Sequence, residues 1–267
     1  MTSSLRSAGF ALLLCAASAV AHAHNVWLLP SSTILSKDDW VTVDAAVSND
    51  LFFFNHNPLA LDNLSITAPD GTEVKAENMH KGKLRSVFDL HLSQPGTYRL
   101  AILNSGVFAR WTDKASSQPK RVRGTPETIA DLIPADARNV EITQMAGRIE
   151  TFVTVGTPST LRPVGKGLEL VASHPTDLVK GERTNFALRI DGQPAKDLEV
   201  VVTPGNTRYR DKMDEIKVKT DADGRFVITW PQAGMYWLEV STSDTNSSVP
   251  QARERRLSYA ATLEVMP

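Results

Sequence analysis

Cysteine is almost missing from this chain. The single one, Cys15, sits in a stretch that reads as a removable leader, so residues 24–267 hold none. That excludes disulfides, thiolate catalysis and cysteine-built zinc sites in the working protein. Leu14 stands before Cys15, where a lipid-attachment site wants a small residue, so no lipid anchor is expected. An excess of one charge is missing too. The 29 Lys+Arg face 30 Asp+Glu, for a formal net charge of −1, and no strong field favours nucleic acid. Beyond residue 30 no apolar run approaches the length of a membrane-crossing helix, so an integral membrane protein is not expected. There is no low-complexity tract, no Ser-His-Asp order, no H-E-x-x-H and no phosphate loop. The adjacent carboxylates Asp38 and Asp39 would point apart on a strand.

What is present starts with the leader. Arg6 supplies a positive n-region, Ala8 to Val20 an apolar run without charge, and small residues an A-x-A cleavage pattern that occurs twice. Residues 1–23 are therefore expected to be a signal peptide, and the protein a soluble one exported to the periplasm. A cut after Ala23 leaves His24 as the first residue; a cut after Ala21 leaves His22-Ala23-His24.

Both cuts unmask metal-binding chemistry. A free α-amine has a pKa of about 7.7–8.0 and imidazole one near 6.5, so both are nitrogen donors available near neutral pH. With His24 first, its amine and ring can chelate one ion, and one more side chain completes a three-nitrogen site. With His22 first, the histidine at position three lets the terminus wrap a square-planar ion, which suits Cu(II) or Ni(II). His56, flanked by Asn55 and Asn57, is the first choice for the added ligand, and His174 in the loop Ser173-His174-Pro175 the second. The metal residues expected are thus His24, His56, His174 and His22. The plain alternative is that terminal and loop histidines are simply solvated.

The rest of the chain reads as all-β: two β-sandwich (immunoglobulin-like) domains with one short helix. The first would cover residues 24–155, with strands at Val26–Leu29, Trp40–Val47, Leu64–Ala68, Arg85–Leu92, Thr97–Leu103, Val140–Thr143 and Ile149–Val155. The run Phe52-Phe53-Phe54 cannot face one core from a strand, so some rings are expected to plug the sandwich and another to be exposed. Asp89 and His91 share a strand face, where a carboxylate could orient the histidine. Two basic stretches with an aromatic, Phe108-Ala109-Arg110-Trp111 and Lys120-Arg121-Val122-Arg123, could meet an anionic surface or be solvated. Thr125 as N-cap, Pro126 and Pro134 frame the one expected helix.

Residues 156–167, rich in Pro, Gly and Thr, read as a linker. The second domain, 168–267, carries seven strand candidates with turn signals between several of them, as a β-sandwich needs. Asp221-Ala222-Asp223-Gly224 resembles the start of a calcium loop but lacks the later ligands, so a hairpin turn is expected.

Four stretches carry a family resemblance: His24-Asn25-Val26-Trp27-Leu28-Leu29-Pro30-Ser31; Asn49-Asp50-Leu51-Phe52 with Asn55-His56; Gly167-Leu168-Glu169-Leu170 with His174-Pro175; and Thr220-Asp221-Ala222-Asp223-Gly224-Arg225-Phe226 with Gly234-Met235-Tyr236-Trp237. The chain resembles exported bacterial proteins labelled as periplasmic components of a cobalt/nickel ABC-type uptake system. The resemblance implies two β-sandwich modules, a periplasmic address and a role as an accessory component of metal uptake or delivery. Taken with the nitrogen donors at the chain end, the cargo expected is Ni(II), Co(II) or Cu(II); a partner expected for two sandwiches on a linker is a membrane transporter or outer-membrane receptor. The second reading is a non-enzymatic interaction module without metal. The third is a copper-dependent oxidative enzyme acting on polysaccharide. An enzyme is not expected.

Overall fold

The computed structural model describes residues 24–113 and 118–267. Residues 1–23, expected to form the leader and including His22, lie outside the described residues. The fold is all-β, built from three sheets. A ten-stranded sheet runs Ile216–Lys219, Glu199–Pro204, Gly234–Asp244, Glu254–Val265, Arg138–Val155, Gly96–Thr112, Leu64–Thr67 and Glu73–Val74, with Lys120–Gly124 and Ile34–Leu35 paired at its margins. A five-stranded sheet joins Asn25–Pro30, Asp39–Ser48, Ser86–Leu92 and Glu77–Lys81, with Asn57–Pro58 at the end of the second. A four-stranded sheet joins Leu168–Val171, Arg183–Ile190, Gln193–Pro194 and Arg225–Thr229.

The two small sheets pack on opposite faces of the large one. Along Arg138–Val155 side chains alternate, as the period of two demands. Ile149 and Val153 face a core shared with Leu28, Val43 and Phe88 of the five-stranded sheet. Phe152 faces a core shared with Leu170, Phe186 and Ile228 of the four-stranded sheet. The large sheet therefore passes from one sandwich into the other, through the parallel pairing of Thr143–Thr151 with Glu254–Thr262. Residues 156–167 are tied down rather than loose: Leu161 is buried, Arg99 donates to the Arg162 carbonyl at 2.9 Å, and the buried Glu169 carboxylate accepts the Val164 and Gly165 amides at 2.6 and 2.8 Å.

All seven strands expected after residue 167 are present, with ends shifted by up to three residues. In the first half, the expected strands Val140–Thr143 and Ile149–Val155 fuse into Arg138–Val155, and the expected strand Thr97–Leu103 runs on to Thr112 through the basic stretch 108–111. Both are continuous where polar residues and glycines interrupt the apolar pattern. Gly147 lies at the crossing point: a Cβ there would stand 2.9 Å from Ser258 Oγ and 3.1 Å from the Asn104 carbonyl, so a larger residue would separate the three strands.

The segment expected to be helical, 125–134, is instead a pair of turns. Thr128 and Ile129 donate to the Thr125 carbonyl, Leu132 to Ile129 and Ile133 to Ala130. Two prolines leave too few residues between them for a helix to sustain itself, since helices shorter than about 12–15 residues are marginal alone. Burying Ile129 against Val107, Ala109 and Trp111, worth about 1.5–3 kcal/mol, decides the conformation. The short 3-10 turn Thr207–Tyr209 is the one helical element among the described residues.

Candidate metal centre

Strand Asp39–Ser48 carries a neighbour on each side near its end: at Val47 it pairs with Val26 on one edge and Asn57 on the other. His24 and His56, each immediately before one of these paired strands, therefore lie around the same strand end. Their rings meet face to face, with centroids 3.9 Å apart and planes 9° from parallel. His24 is exposed and His56 partly so, which leaves the pair open to solvent.

The loop that carries His56 is held at several points. Asn55 accepts the Asn49 amide at 2.9 Å and donates to Asp50 Oδ2 at 2.7 Å. Trp27 donates its indole proton to Ser48 Oγ at 2.7 Å, and that hydroxyl donates to the Asp50 carbonyl at 2.7 Å. The Leu51 amide reaches Thr207 Oγ1 of the second half at 3.2 Å. Phe52, at φ 64°, turns the chain so that the three phenylalanines divide. Phe52 and Phe54 flank the buried Trp27, with centroids 5.6 and 5.5 Å from it, while Phe53 points to Tyr209 at 5.7 Å. Arg85 caps Phe54 at 4.4 Å and pairs with Asp44 at 3.2 Å. Burial pushes the Asp44 carboxyl up from the ordinary carboxylate range, and Arg85 opposes that shift.

The histidines expected to act together divide as well. His24 and His56 are in contact. His174 lies elsewhere, two residues before Thr176, whose hydroxyl meets that of Thr154 at 2.6 Å. Thr154 pairs with Ile34, beyond the far end of strand Asn25–Pro30, so His174 is not brought to the pair. Among the described residues no group of three or more His, Cys, Asp or Glu side chains is placed to hold a metal. His91 takes Asp38 as its carboxylate partner, at 2.6 Å, and Trp40 stacks on it at 4.8 Å. Asp89, expected beside it, is occupied by Thr42 and Asn78, and these hydrogen bonds hold its carboxyl below the usual range. Asp221 closes its own turn, accepting the Asp223 and Arg225 amides at 2.9 and 2.8 Å.

The donor set at the His24–His56 pair is all nitrogen, the type that suits Cu, Ni and Zn. Two imidazoles sharing an ion must aim their lone pairs at one point about 2 Å from each nitrogen. Parallel rings aim theirs side by side. The pair can hold one ion only after one ring turns on its side-chain torsions, which exposure permits. What sequence reasoning missed here is the support: Asn25, which donates to the Asn49 carbonyl at 3.4 Å, with Asn55 and Thr207. Only the strand register and the docking of the two halves reveal these.

No curated protein matches the sequence. Among solved structures, the adhesin InvE of Yersinia pseudotuberculosis is 10% identical with a TM-score of 0.23, covering 89% of this chain and 58% of its own. Trypsin-activated alpha-2-macroglobulin of Escherichia coli is 13% identical at TM-score 0.23, covering 90% and 15%. The D0-D1 domain of intimin is 12% identical at TM-score 0.23, covering 90% and 97%. None of these likenesses bears on function. This chain thus spans 58% of the length of InvE and 15% of the macroglobulin. Residues 21–244 match the family described as domain of unknown function DUF4198, and the chain belongs to that family.

Proposed function

We propose that this member of the DUF4198 family is an exported, periplasmic carrier of a divalent transition metal, held where its mature chain begins. The observation that supports the reading is the face-to-face contact of His24 and His56 at 3.9 Å. With the leader cut after Ala23, the new α-amine and the His24 ring form a chelate, and His56 supplies a third nitrogen. With the cut after Ala21, His22 adds its amine and the backbone nitrogens between complete a square-planar set. By raw affinity such a site prefers Cu(II) over Ni(II) and Co(II), so a nickel or cobalt cargo would depend on supply. The resemblance to proteins labelled as cobalt/nickel uptake components supports delivery to a membrane transporter or receptor. The reading assigns the protein no catalytic step.

The test is N-terminal mass spectrometry of the exported protein, followed by calorimetric titration of that species with Cu(II) and Ni(II). The expected result is one equivalent bound, with His56→Ala weaker by about tenfold or more, the loss of one ligand bond of about 1.4 kcal/mol or greater. No binding by the wild type would overturn the reading in favour of an interaction module without metal, and binding unchanged in the His24→Ala/His56→Ala double variant would overturn this site.

A further inference from the structure

The two basic stretches of the sequence, 108–111 and 120–123, are brought together by strand pairing. Lys120–Gly124 lies antiparallel to Gly96–Thr112, and the register sets Arg121 directly opposite Arg110 and Arg123 opposite Phe108. The neighbouring strand adds Glu141 beside Arg110 and Met145 beside Gly106, and the next sets Arg256 beside Met145. Directly opposed residues project to the same face. The other face of this ribbon is closed: Val107, Ala109 and Trp111 pack there on Ile129 and Val249. The arginine face is open, and holds a cavity of about 330 Å³ lined by Phe108, Arg110, Arg121, Glu141, Met145 and Arg256.

Like charges directly opposite on a sheet are destabilising. Among the described residues neither Arg110 nor Arg121 has an ion pair to relieve that repulsion, whereas Arg256 meets Glu254 at 3.1 Å. Three guanidinium groups meet two carboxylates, Glu141 and the Glu254 paired to Arg256, a local excess of one positive charge carried by Arg110 and Arg121 in a chain whose formal net charge is −1. Guanidinium forks match oxyanions in a bidentate manner, and Phe108 and Met145 give the cavity apolar walls. Its size falls in the range of small-molecule sites.

We propose that this open face binds a small soluble oxyanion carrying at least two negative charges, gripped between Arg110 and Arg121 with Arg256 on the far side. The site is separate from the histidine pair and does not depend on metal binding. The anion would neutralise the opposed arginines, and Glu141 would limit how tightly it is held.

The experiment uses the full mature chain and pyrophosphate as probe, by calorimetry at low salt. Wild-type protein should bind. Arg110→Gln and Arg121→Gln should each weaken binding by about tenfold or more, the loss of a charge-assisted hydrogen bond. Their thermal midpoints should not fall, because each removes a repulsion. Glu141→Gln should tighten binding, a gain that poor folding cannot mimic. Arg208→Gln, which removes an arginine over Phe53 on another surface, should leave binding unchanged. No binding by the wild type, or an equal loss in Arg208→Gln, would overturn the proposal. So would capture by phosphatidylglycerol vesicles without pyrophosphate binding, which would mark the face as a membrane contact.

Discussion

The indole nitrogen of Trp237 donates to the main-chain oxygen of Val26 at 2.9 Å, joining residues 211 positions apart. Trp237 belongs to a small cluster with Trp27, Ala46, Leu51 and Ala260. The first strand is therefore fixed by the second half of the chain, two residues from His24. That fixation gives His24 a defined place beside His56.

Trp237→Phe keeps most of the ring but leaves the Val26 carbonyl without its donor. A buried group left unpaired costs about 1–3 kcal/mol. Urea denaturation should show that loss, and hydrogen exchange should show faster opening of strand Asn25–Pro30 than in the wild type.

Glu150 is fully buried on the large sheet, with Arg148 at 3.1 Å, Arg99 at 3.6 Å and the Tyr259 hydroxyl at 2.7 Å. Glu150→Gln removes the charge between two largely buried guanidinium groups. Breaking a buried pair from one side costs about 3–5 kcal/mol. Glu150→Gln should therefore be among the most destabilising single substitutions in a denaturant series, well beyond Glu141→Gln at the exposed ribbon.

Burial, with the neighbouring Glu150 carboxylate, pushes the Tyr259 hydroxyl well above its ordinary value. The unfolded chain then gives up this proton first as pH rises. The stability it contributes is complete below about pH 10 and falls above that by up to about 1.4 kcal/mol per pH unit. Urea midpoints on either side of pH 10 should show the fall. Tyr259→Phe should reduce it without abolishing it, because Tyr236 is also raised by burial.

Gly224 sits at φ +73°, where a Cβ would lie 2.4 Å from the Leu188 carbonyl oxygen and 2.8 Å from the Ala195 nitrogen. Both atoms are backbone and cannot swing away. Gly224→Ala should cost more than about 1 kcal/mol, the upper end for a simple glycine exchange, read as a lowered thermal midpoint.

Much of this architecture was legible in the residues. Alternation of apolar and polar side chains located the second-half strands, because each has one face on a core. The turn at Asp221–Gly224 was legible from its own side-chain chemistry. The contact of His56 with His24 was expected from a polar loop and an unmasked chain end. What did not show were the long-range facts. The parallel pairing of 143–151 with 254–262 leaves no mark in local periodicity. Arg110 and Arg121 stand on different strands, and nothing in either stretch announces that they face one another. His91 drew the eye to Asp89 two residues away, while its partner Asp38 is 53 residues distant. The capping signals at Thr125 and Pro126 were sound locally but lost to the burial of Ile129.

The central claim is that folding sets a second imidazole against the unmasked His24. Pulsed electron paramagnetic resonance on the Cu(II)-loaded exported protein counts the imidazoles bound to one ion. The account predicts one imidazole more in the wild type than in His56→Ala. A wild-type spectrum indistinguishable from that of His56→Ala would contradict it.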